Sequence, residues 1–356
     1  MKLNFRNMPA GSLPYDNIQP CKKMMLRLFE KLPFIPELSL INNDSIKNRT
    51  FSKLPFLSEK DGKLIFTEGL ADAINRDLVP YEKLLNSNKL SDFEPFAQDS
   101  QFLEIFEAML EKFEPEYAYF GLIGPFSFAN MIFNRSASSI LVDKTYRKFI
   151  TLSVTLKALW FIYYVKSISP KTKPIIMFNE NLLYKFGTLK RTNENITNDT
   201  VSLLFKKVFE RLKKEDAVIG VQSFEKCNWQ LVFDTNMVDI ISIDAYNNSN
   251  NLNILANSIQ KFLSNGGIIN WGIVPVTNEK DIRTLNLDKL YTMLINAIED
   301  LASQGVSADM LYKNLTVSVQ GDLDKYPILF AEKALMMAEQ ISKKLPTSSG
   351  TIQHDD

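Results

Sequence analysis

The sequence predicts an α/β protein of the (β/α)8 barrel class, a single domain spanning residues 1–345 with an irregular N-terminal segment and a hairpin insertion. After about residue 115, short β-rich runs alternate with long amphipathic segments, which is typical of βα units around a parallel sheet. Each short run is almost wholly apolar, as expected of a strand that is covered on both faces. A chain of 356 residues also lies within the range that one such barrel occupies.

The first 115 residues are less regular. Residues 4–8 predict an opening strand, Gln19–Lys31 predicts a helix, and Gln101–Phe113 predicts another. The dipeptide Asp61-Gly62 lies between two short β-rich runs and predicts the turn of a hairpin. With the opening strand, seven barrel strands can be assigned; the eighth must come from Pro36–Asn43 or from the hairpin region.

The regular part of the chain predicts six strands and five main helices. The strands are Tyr117–Ile123, Pro174–Phe178, Ala217–Val221, Asp239–Asp244, Ile268–Ile273 and Leu315–Val319. The helices are Asp143–Ser167, Asp199–Lys214, Asn253–Ser264, Leu287–Ala302 and Pro327–Lys344. The polar residues 346–356 predict a disordered tail.

One apolar segment has almost the length of a membrane span. Phe149–Val165 carries Lys157 at its centre and has polar residues on both sides. Its large side chains recur at helical spacing, so we expect a helix buried in the protein core and no membrane association.

Composition excludes several classes of function. The 41 basic and 41 acidic residues are scattered along the chain, so a nucleic-acid partner is not expected. Two distant cysteines and an N-terminus without a signal-peptide pattern suit the cytoplasm. No glycine-rich phosphate loop is present, and the single histidine, His354, lies in the predicted tail, which argues against a Ser-His-Asp triad.

In a barrel of this class the functional residues follow the C-terminal ends of the strands. That rule selects ten candidate residues: Ser12, Tyr15, Asn179, Glu180, Gln222, Ser223, Asp244, Tyr246, Trp271 and Gln320. Glu180 and Asp244 are the candidate catalytic residues, because two carboxylates in different surroundings can divide the acid and base roles. The other eight are candidate ligand-binding residues. The alternative for both acids is structural, as caps of βα loops or partners of lysines.

Seven short motifs at these strand ends carry a resemblance to a known family. They are GSLP (Gly11–Pro14), GPFS (Gly124–Ser127), FNEN (Phe178–Asn181), GVQSFEKCNW (Gly220–Trp229), DIISIDAY (Asp239–Tyr246), WGIVP (Trp271–Pro275) and VSVQG (Val317–Gly321). In order and spacing they resemble the TIM barrel of cobalamin-independent methionine synthase and its relatives in the uroporphyrinogen decarboxylase superfamily. The resemblance implies a methyltransferase that acts on a small thiol held on zinc, with a folate or corrinoid methyl donor.

The resemblance also implies that the zinc site is degenerate. The family's histidine position corresponds to Gln222, its first cysteine to Phe224 or Ser223, its acidic ligand to Asp244 and its last cysteine to Val319. A catalytic zinc ion needs three protein ligands, and neither Phe224 nor Val319 has a lone pair to offer. No metal ligand set and no cofactor are therefore predicted, although zinc is expected in the family.

Three functions remain open for such a protein. It can be a metal-free enzyme, a methyltransferase or a decarboxylase-like lyase that uses Glu180 and Asp244. It can be a pseudoenzyme that binds a small ligand and performs no reaction. It can also be the inactive partner of an active paralogue or of a corrinoid protein.

Overall fold

The computed structural model describes residues 3–9, 11–38, 40–41, 45–61, 63–66, 78–98, 101–133, 139–186, 196–276 and 278–346. Beyond Pro346, the predicted disordered tail lies outside these residues, as does Gly62 of the predicted hairpin turn. The two strands of that hairpin, β1 (Leu57–Lys60) and β2 (Lys63–Phe66), pair antiparallel as predicted.

The main sheet consists of six parallel strands in chain order. They are β3 (Tyr117–Ile123), β4 (Lys173–Asn179), β5 (Val218–Ser223), β6 (Ile240–Asp244), β7 (Ile268–Val274) and β8 (Leu315–Val319). All six were predicted from the apolar runs, with bounds that differ by at most two residues.

The predicted closed barrel of eight strands is wrong, because the described residues form a half-barrel of six parallel strands. The predicted opening strand at residues 4–8 makes one isolated bridge, between Asn7 and Val317 at the β8 edge. At the other edge, Phe34 makes an isolated bridge with Tyr119 of β3. Both N-terminal segments therefore touch the sheet without becoming strands of it.

Prolines flank both of these segments, and each segment pairs with the sheet only briefly. Pro9 and Pro14 flank the segment at the β8 edge, and Pro33 and Pro36 flank Phe34 at the β3 edge. Pro33 faces β3 and has no backbone N–H to donate there, whereas Pro9 and Pro36 are out of phase with the bonds to the sheet and act by restricting the backbone. The pairing stops after one or two bonds, among them Met8 N to Val317 O at 2.9 Å and Tyr119 N to Pro33 O at 2.9 Å.

The same N-terminal segment is attached to the C-terminal part of the chain. The Arg6 guanidinium donates to the carbonyl oxygens of Tyr312, Leu345 and Pro346 at 3.2, 3.2 and 2.9 Å. Residues near both ends of the described chain are thus joined beside β8.

Helices surround the sheet. Their bounds are Ile18–Leu28, Ile46–Phe51, Val79–Leu84, Leu103–Phe113, Pro125–Met131, Lys144–Ile168, Asn198–Lys213, Trp229–Phe233, Ala245–Asn248, Ala256–Ser264, Glu279–Arg283, Leu287–Ser303, Ala308–Lys313 and Ile328–Lys344, with 3-10 turns at Leu90–Phe96, Ile140–Val142, Leu183–Lys185 and Ser249–Leu255. Side-chain caps fix several starts, such as Asp143 accepting from Thr145 N and Thr197 accepting from Thr200 N. The predicted helix Asn253–Ser264 begins later, at Ala256, because a 3-10 turn precedes it.

The helix Lys144–Ile168 is long and apolar enough to cross a membrane, with a mean hydropathy of 1.3 over its most apolar window. Of that window, 89% is buried inside the fold. Phe161 on this helix stacks on Phe120 of β3, with ring centroids 4.4 Å apart. The prediction of a buried core helix is confirmed, as expected of a soluble protein.

Candidate functional site

The sheet has two faces, and its helical layer covers one of them. Phe120 of β3 stacks on the helix Lys144–Ile168, and Phe178 of β4 packs on Phe209 of the helix Asn198–Lys213, with centroids 5.5 Å apart. We call this the outer face and the opposite one the inner face. Because side chains alternate along a strand, Asn179 next to Phe178 belongs to the inner face, and Glu180 follows on the outer side.

This alternation divides the sequence-predicted residues between two environments. The strand register aligns Asn179 with Gln222 and places Asp244 two residues beyond Ser242 on the same face. Ser223 and Trp271 are each one residue out of phase and point to the outer face. The candidate residues therefore do not form one site.

A row of five polar side chains crosses the inner face. In adjacent strands, the register pairs Asn179 with Gln222, Gln222 with Ser242, Ser242 with Asn270, and Asn270 with Thr316. Paired residues of neighbouring strands carry their side chains on the same face, a few ångströms apart. Only the first two residues of this row were selected from the sequence.

The half of the row on β6, β7 and β8 is satisfied internally. The Asn270 amide donates from Nδ2 to Ser242 Oγ and to Ser318 Oγ, both at 2.8 Å. Its Oδ1 accepts from Thr316 Oγ1 at 3.0 Å. Both N–H groups of the amide are used, so this half offers little to a ligand.

The half of the row on β4 and β5 is open. Gln222 is 5% exposed, and no described residue hydrogen-bonds to its side chain. Asn179 Oδ1 accepts from Asn181 N at 3.1 Å, but its Nδ2 has no partner among the described residues. The amide atoms of both residues keep some contact with solvent, since neither residue is among those with a fully buried polar atom that lacks a partner, so an external molecule can hydrogen-bond to them in place of water.

The Met177 side chain lies directly below this open half. A Cβ built on Gly220 would lie 2.6 Å from Met177 Cε, so the Met177 side chain crosses Gly220, one layer below Gln222. Tyr119 of β3 also points to the inner face, but the register aligns it with Ile175 and Val218, two layers below Asn179 and Gln222. It is 7% exposed, and its hydroxyl has no partner in the described ranges. Burial, followed by the negative charge of Glu37, raises the pKa of Tyr119, so its phenol stays neutral and can donate.

Asp244 and Gln320 are brought together, but in a closed arrangement. Asp244 Oδ2 accepts from Gln320 Nε2 at 2.8 Å and from the side chains of Asn247 and Asn248 at 3.0 Å each. Its Oδ1 accepts from Asn247 N at 3.0 Å and caps the helix Ala245–Asn248. Asp244 is 2% exposed, and these bonds use both of its carboxylate oxygens. They favour the structural alternative, a cap of the βα loop, over a catalytic role for Asp244.

Glu180 is a buried anchor between two loops. It is fully buried, and it accepts from Phe126 N at 3.0 Å and from Ser127 N and Oγ at 2.8 Å each. A Cβ on Gly124 would lie 2.2 Å from Glu180 Oε1, so the loop needs glycine there. Burial raises the pKa of Glu180 to about 7, although the hydrogen bonds from Ser127 and Phe126 act in the opposite direction.

Ser12 and Tyr15, the two N-terminal candidates, hold the chain in place. Ser12 N donates to Asp322 Oδ1 at 3.1 Å, next to the end of β8. Tyr15 is fully buried and donates to Glu332 Oε1 at 2.9 Å on the C-terminal helix, and burial raises its pKa. The Tyr15 hydroxyl is thus satisfied without a ligand, and the Ser12 backbone is fixed beside Asp322.

The remaining candidates also lie apart from the open amides. Ser223 Oγ bonds within its own turn, to Glu225 O at 3.3 Å. Tyr246 is half-buried on the short helix after β6. Trp271 is 1% exposed, and its Nε1 donor has no partner in the described part of the chain.

The residues present do not fit a zinc ion. The described residues contain no group of three His, Cys, Asp or Glu side chains that could hold a metal. Phe224 and Val319 lack donor atoms, and the oxygens of Asp244 are already engaged. Burial and the negative charge of Glu180 raise the pKa of Cys227, so this thiol stays protonated and does not replace the missing ligands.

Two cavities lie away from the carboxyl ends of the strands. One, of about 400 Å³, opens at the amino end of β6 and is lined by Lys213, Asp239 and Phe262, among others. The other, of about 540 Å³, lies between the N-terminal segment and the C-terminal helix and includes Arg6 and Lys343. The strand-end rule directs attention to the opposite end of the sheet, so the sequence did not suggest the first cavity.

Two comparisons by sequence provide no further guide to this site. A scan against protein-family models finds no match, and no curated protein matches the sequence. The interpretation of the inner face therefore depends on its own geometry.

Proposed function

We propose that this protein binds a small polar organic molecule on the inner face, at the carboxyl ends of β4 and β5, without zinc. The observation that carries the proposal is the side-chain amide of Gln222, a 5% exposed residue, which has no hydrogen-bond partner among the described residues. It lies next to Asn179, whose Oδ1 is bonded and whose Nδ2 has no partner among the same residues. Asn270, two strands away in the same row, has both donors of its side-chain amide satisfied within the protein. A ligand that bonds to Gln222 would remove the imbalance between the two halves of the row.

The geometry favours binding over catalysis. Glu180 belongs to the outer side of the sheet, and Asp244 is held by four hydrogen bonds. An acid/base pair must reach the atoms between which it transfers protons, and these two carboxylates bond to backbone and amide groups of the protein instead. We therefore rank a ligand-binding protein above a metal-free methyltransferase or lyase.

The strand-end motifs add an evolutionary origin to this proposal. We infer a binding protein that descends from methionine-synthase-like methyltransferases and acts in the cytoplasm. A corrinoid protein or an active paralogue as its partner stays a prediction of the resemblance. The proposal itself requires only the small ligand.

A differential ligand screen tests the proposal. Wild-type protein and the Gln222→Leu variant are screened against a library of polar metabolites by thermal shift, with Gln19→Leu as the matched control, since Gln19 is exposed on the first helix. We expect at least one compound to raise the melting temperature of the wild type and of the control, and to have little effect on Gln222→Leu. Compounds that stabilise all three proteins equally, with none that depends on Gln222, would overturn the proposal.

A further inference from the structure

We propose that the cavity between the N-terminal segment and the C-terminal helix binds a small organic anion, a carboxylate or a phosphate monoester attached to an apolar body. The cavity measures about 540 Å³, which lies within the usual range of small-molecule sites. None of the inner-face residues lines it, so this second site does not depend on the proposed function. Three features of its lining support the proposal: unused donors, an excess of positive charge, and an apolar wall.

The Arg6 guanidinium offers an unused pair of N–H groups. Its Nη1 donates to the carbonyl oxygens of Leu345 and Pro346, and its Nη2 donates to that of Tyr312. A guanidinium carries five N–H groups, so the Nε–H and one Nη2–H have no partner among the described residues. Nε is not among the fully buried polar atoms that lack a partner, so it keeps contact with solvent. N–H groups on adjacent guanidinium nitrogens bind two oxygens of a carboxylate or a phosphate in parallel hydrogen bonds.

The positive charge of Arg6 has no carboxylate partner in the described part of the chain. The three carbonyl groups that hold the guanidinium are neutral, so they fix its position without neutralising it. Arg6 is half-buried, and burial lowers the pKa of its guanidinium, with no acidic group acting in the opposite direction. Arginine nevertheless stays protonated in proteins. A fixed and partly desolvated cation is therefore available to an anion in the cavity.

Cations outnumber carboxylates along the cavity. The charged residues of its lining are four cations and two carboxylates: Arg6, Arg27, Lys31 and Lys343 against Glu30 and Glu339. Lys343 and Glu339 form an ion pair with each other at 2.6 Å, which leaves three cations and one carboxylate. Arg27 and Lys31 are exposed and form no ion pair with a described residue. Arg27 also lies in the last turn of the first helix, where the helix dipole favours a cation, but Arg6 and Lys31 lie outside the helices.

Asn7 adds a neutral donor to the lining. The residue is 8% exposed, and its Nδ2 is buried without a partner among the described residues. Ser342 also lines the cavity, but its hydroxyl already donates to Glu339 O at 2.7 Å. A buried donor without an acceptor is unfavourable, and an oxyanion in the cavity would bring acceptors to this side of it.

An apolar wall favours an organic anion over an inorganic ion. Five apolar side chains contribute to the lining: Leu3, Phe5, Leu28, Phe29 and Leu32. A bare inorganic ion would leave this surface in contact with water, whereas an apolar body covers it and gains the free energy of its burial. A few polar groups on a mostly apolar wall are also the usual composition of a small-molecule site.

Four benzene derivatives that differ in one substituent test this inference. Benzoate and phenyl phosphate carry the two oxyanions, benzamide carries a neutral planar group, and benzylamine carries a cation. Acetate and inorganic phosphate test the anions without the ring. Affinities are measured by isothermal titration calorimetry or, where weak, by ligand-observed NMR, in a buffer of low ionic strength.

The wild-type protein should select the oxyanions. We expect it to bind at least one of benzoate and phenyl phosphate at least tenfold more tightly than benzamide and benzylamine, which corresponds to about 1.4 kcal/mol. We also expect that oxyanion to bind more tightly than acetate or inorganic phosphate, its counterpart without the ring.

Substitutions locate the binding in the cavity. Arg6→Lys keeps the positive charge but loses the pair of N–H groups, and it should weaken binding of the preferred oxyanion at least fivefold. Arg27→Gln removes a cation from the lining and should weaken binding with a smaller dependence on salt. Lys23→Gln is the matched control and should bind as the wild type does, because Lys23 is exposed on the same helix as Arg27 but does not line the cavity. If Arg6→Lys fails to fold, as judged by circular dichroism, Arg27→Gln combined with Lys31→Gln replaces it and should show the same loss.

Each part of the proposal can be overturned separately. Equal or tighter binding of benzamide or benzylamine would overturn the anionic class of the ligand. Equal or tighter binding of the anion without its ring would overturn the organic class. No binding of either aromatic oxyanion, or the same affinity in wild type and Arg6→Lys, would overturn the site. The ligand screen with Gln222→Leu tests the inner face independently of all these outcomes.

Discussion

Gln320 and Asp244 join the ends of two strands that are not neighbours. Gln320 Nε2, just after β8, donates to Asp244 Oδ2 at the end of β6 over 2.8 Å, and β7 lies between them. On its other side, Gln320 Oε1 accepts from Val276 N at 3.3 Å, so this one side chain connects the segments that follow three successive strands. Asp244 and Gln320 were predicted to contact a ligand, but they connect the carboxyl ends of β6, β7 and β8 instead.

Asp244→Ala should therefore destabilise the protein and not merely reduce its binding. The substitution leaves Gln320 Nε2 without an acceptor in a buried environment and removes the cap of the helix Ala245–Asn248, and we expect a loss of about 2 to 4 kcal/mol in the free energy of unfolding. Urea denaturation followed by circular dichroism measures it. Asp234→Ala, at an exposed acid, is the control and should cost less than about 1 kcal/mol. Equal stabilities of the two variants would contradict the anchoring role.

Gly124→Ala should be far more damaging than Gly121→Ala. The new Cβ at position 124 would lie 2.2 Å from Glu180 Oε1, whereas the nearest atoms to a Cβ at position 121 are 3.8 Å away, an ordinary contact distance. We expect a loss of about 2 kcal/mol for Gly124→Ala and a change below about 1 kcal/mol for Gly121→Ala, by urea denaturation. A tolerated alanine at position 124 would mean that Glu180 does not occupy the loop as described.

Glu180 should make stability fall between pH 5 and pH 8. Its pKa is about 7 in the folded protein and 4.5 without burial, so the folded state holds a proton that the unfolded state has released. The stabilisation is complete below pH 4.5 and is lost as the pH rises through 7, a change of about 3 kcal/mol.

The comparison that isolates this contribution is between wild type and Glu180→Gln. The difference in unfolding free energy should change by about 3 kcal/mol over that pH range, because glutamine does not titrate. Glu225→Gln, at an exposed glutamate, should give a profile parallel to the wild type. Parallel profiles for Glu180→Gln as well would show that Glu180 titrates normally.

Zinc should be absent from the purified protein. The positions that supply the family's ligands hold Gln222, Phe224 and Val319, and Asp244 has its oxygens engaged. Mass-spectrometric metal analysis of untagged protein should find well below one zinc ion per chain, and a chelator should leave the melting temperature unchanged. Stoichiometric zinc, or a lower melting temperature with chelator, would mean that another set of residues binds the metal.

The strands and helices could be predicted because burial on both faces leaves a clear apolar pattern. The apolar runs of β3 and β8 define the strands to the residue, and side-chain caps such as Thr197 define helix starts. Whether the sheet closes into a barrel could not be predicted in the same way. Residues 4–8 have the composition of a strand, but they pair with β8 through an isolated bridge only, and that outcome depends on the partner edge.

The site was predicted less well, because the strand-end rule identifies loops but ignores the direction of side chains. Asn179 and Glu180 are neighbours in sequence, yet alternation places them on opposite sides of the sheet. A signal for the missed part of the row was present: Ser242 and Asn270 interrupt runs of isoleucine, and a polar residue in a buried strand needs a partner on its own face.

The attachment of the N-terminal segment to β8 also constrains when the protein can fold. Met8 N bonds to Val317 O, and Arg6 reaches Tyr312 and Leu345, so residues near the start of the chain depend on residues made more than 300 positions later. During synthesis, the five strands from β3 to β7 can assemble while the N-terminal segment still has no partner. Contacts this distant in sequence slow the final step, and the exposed edge of β8 is protected only once translation has passed it.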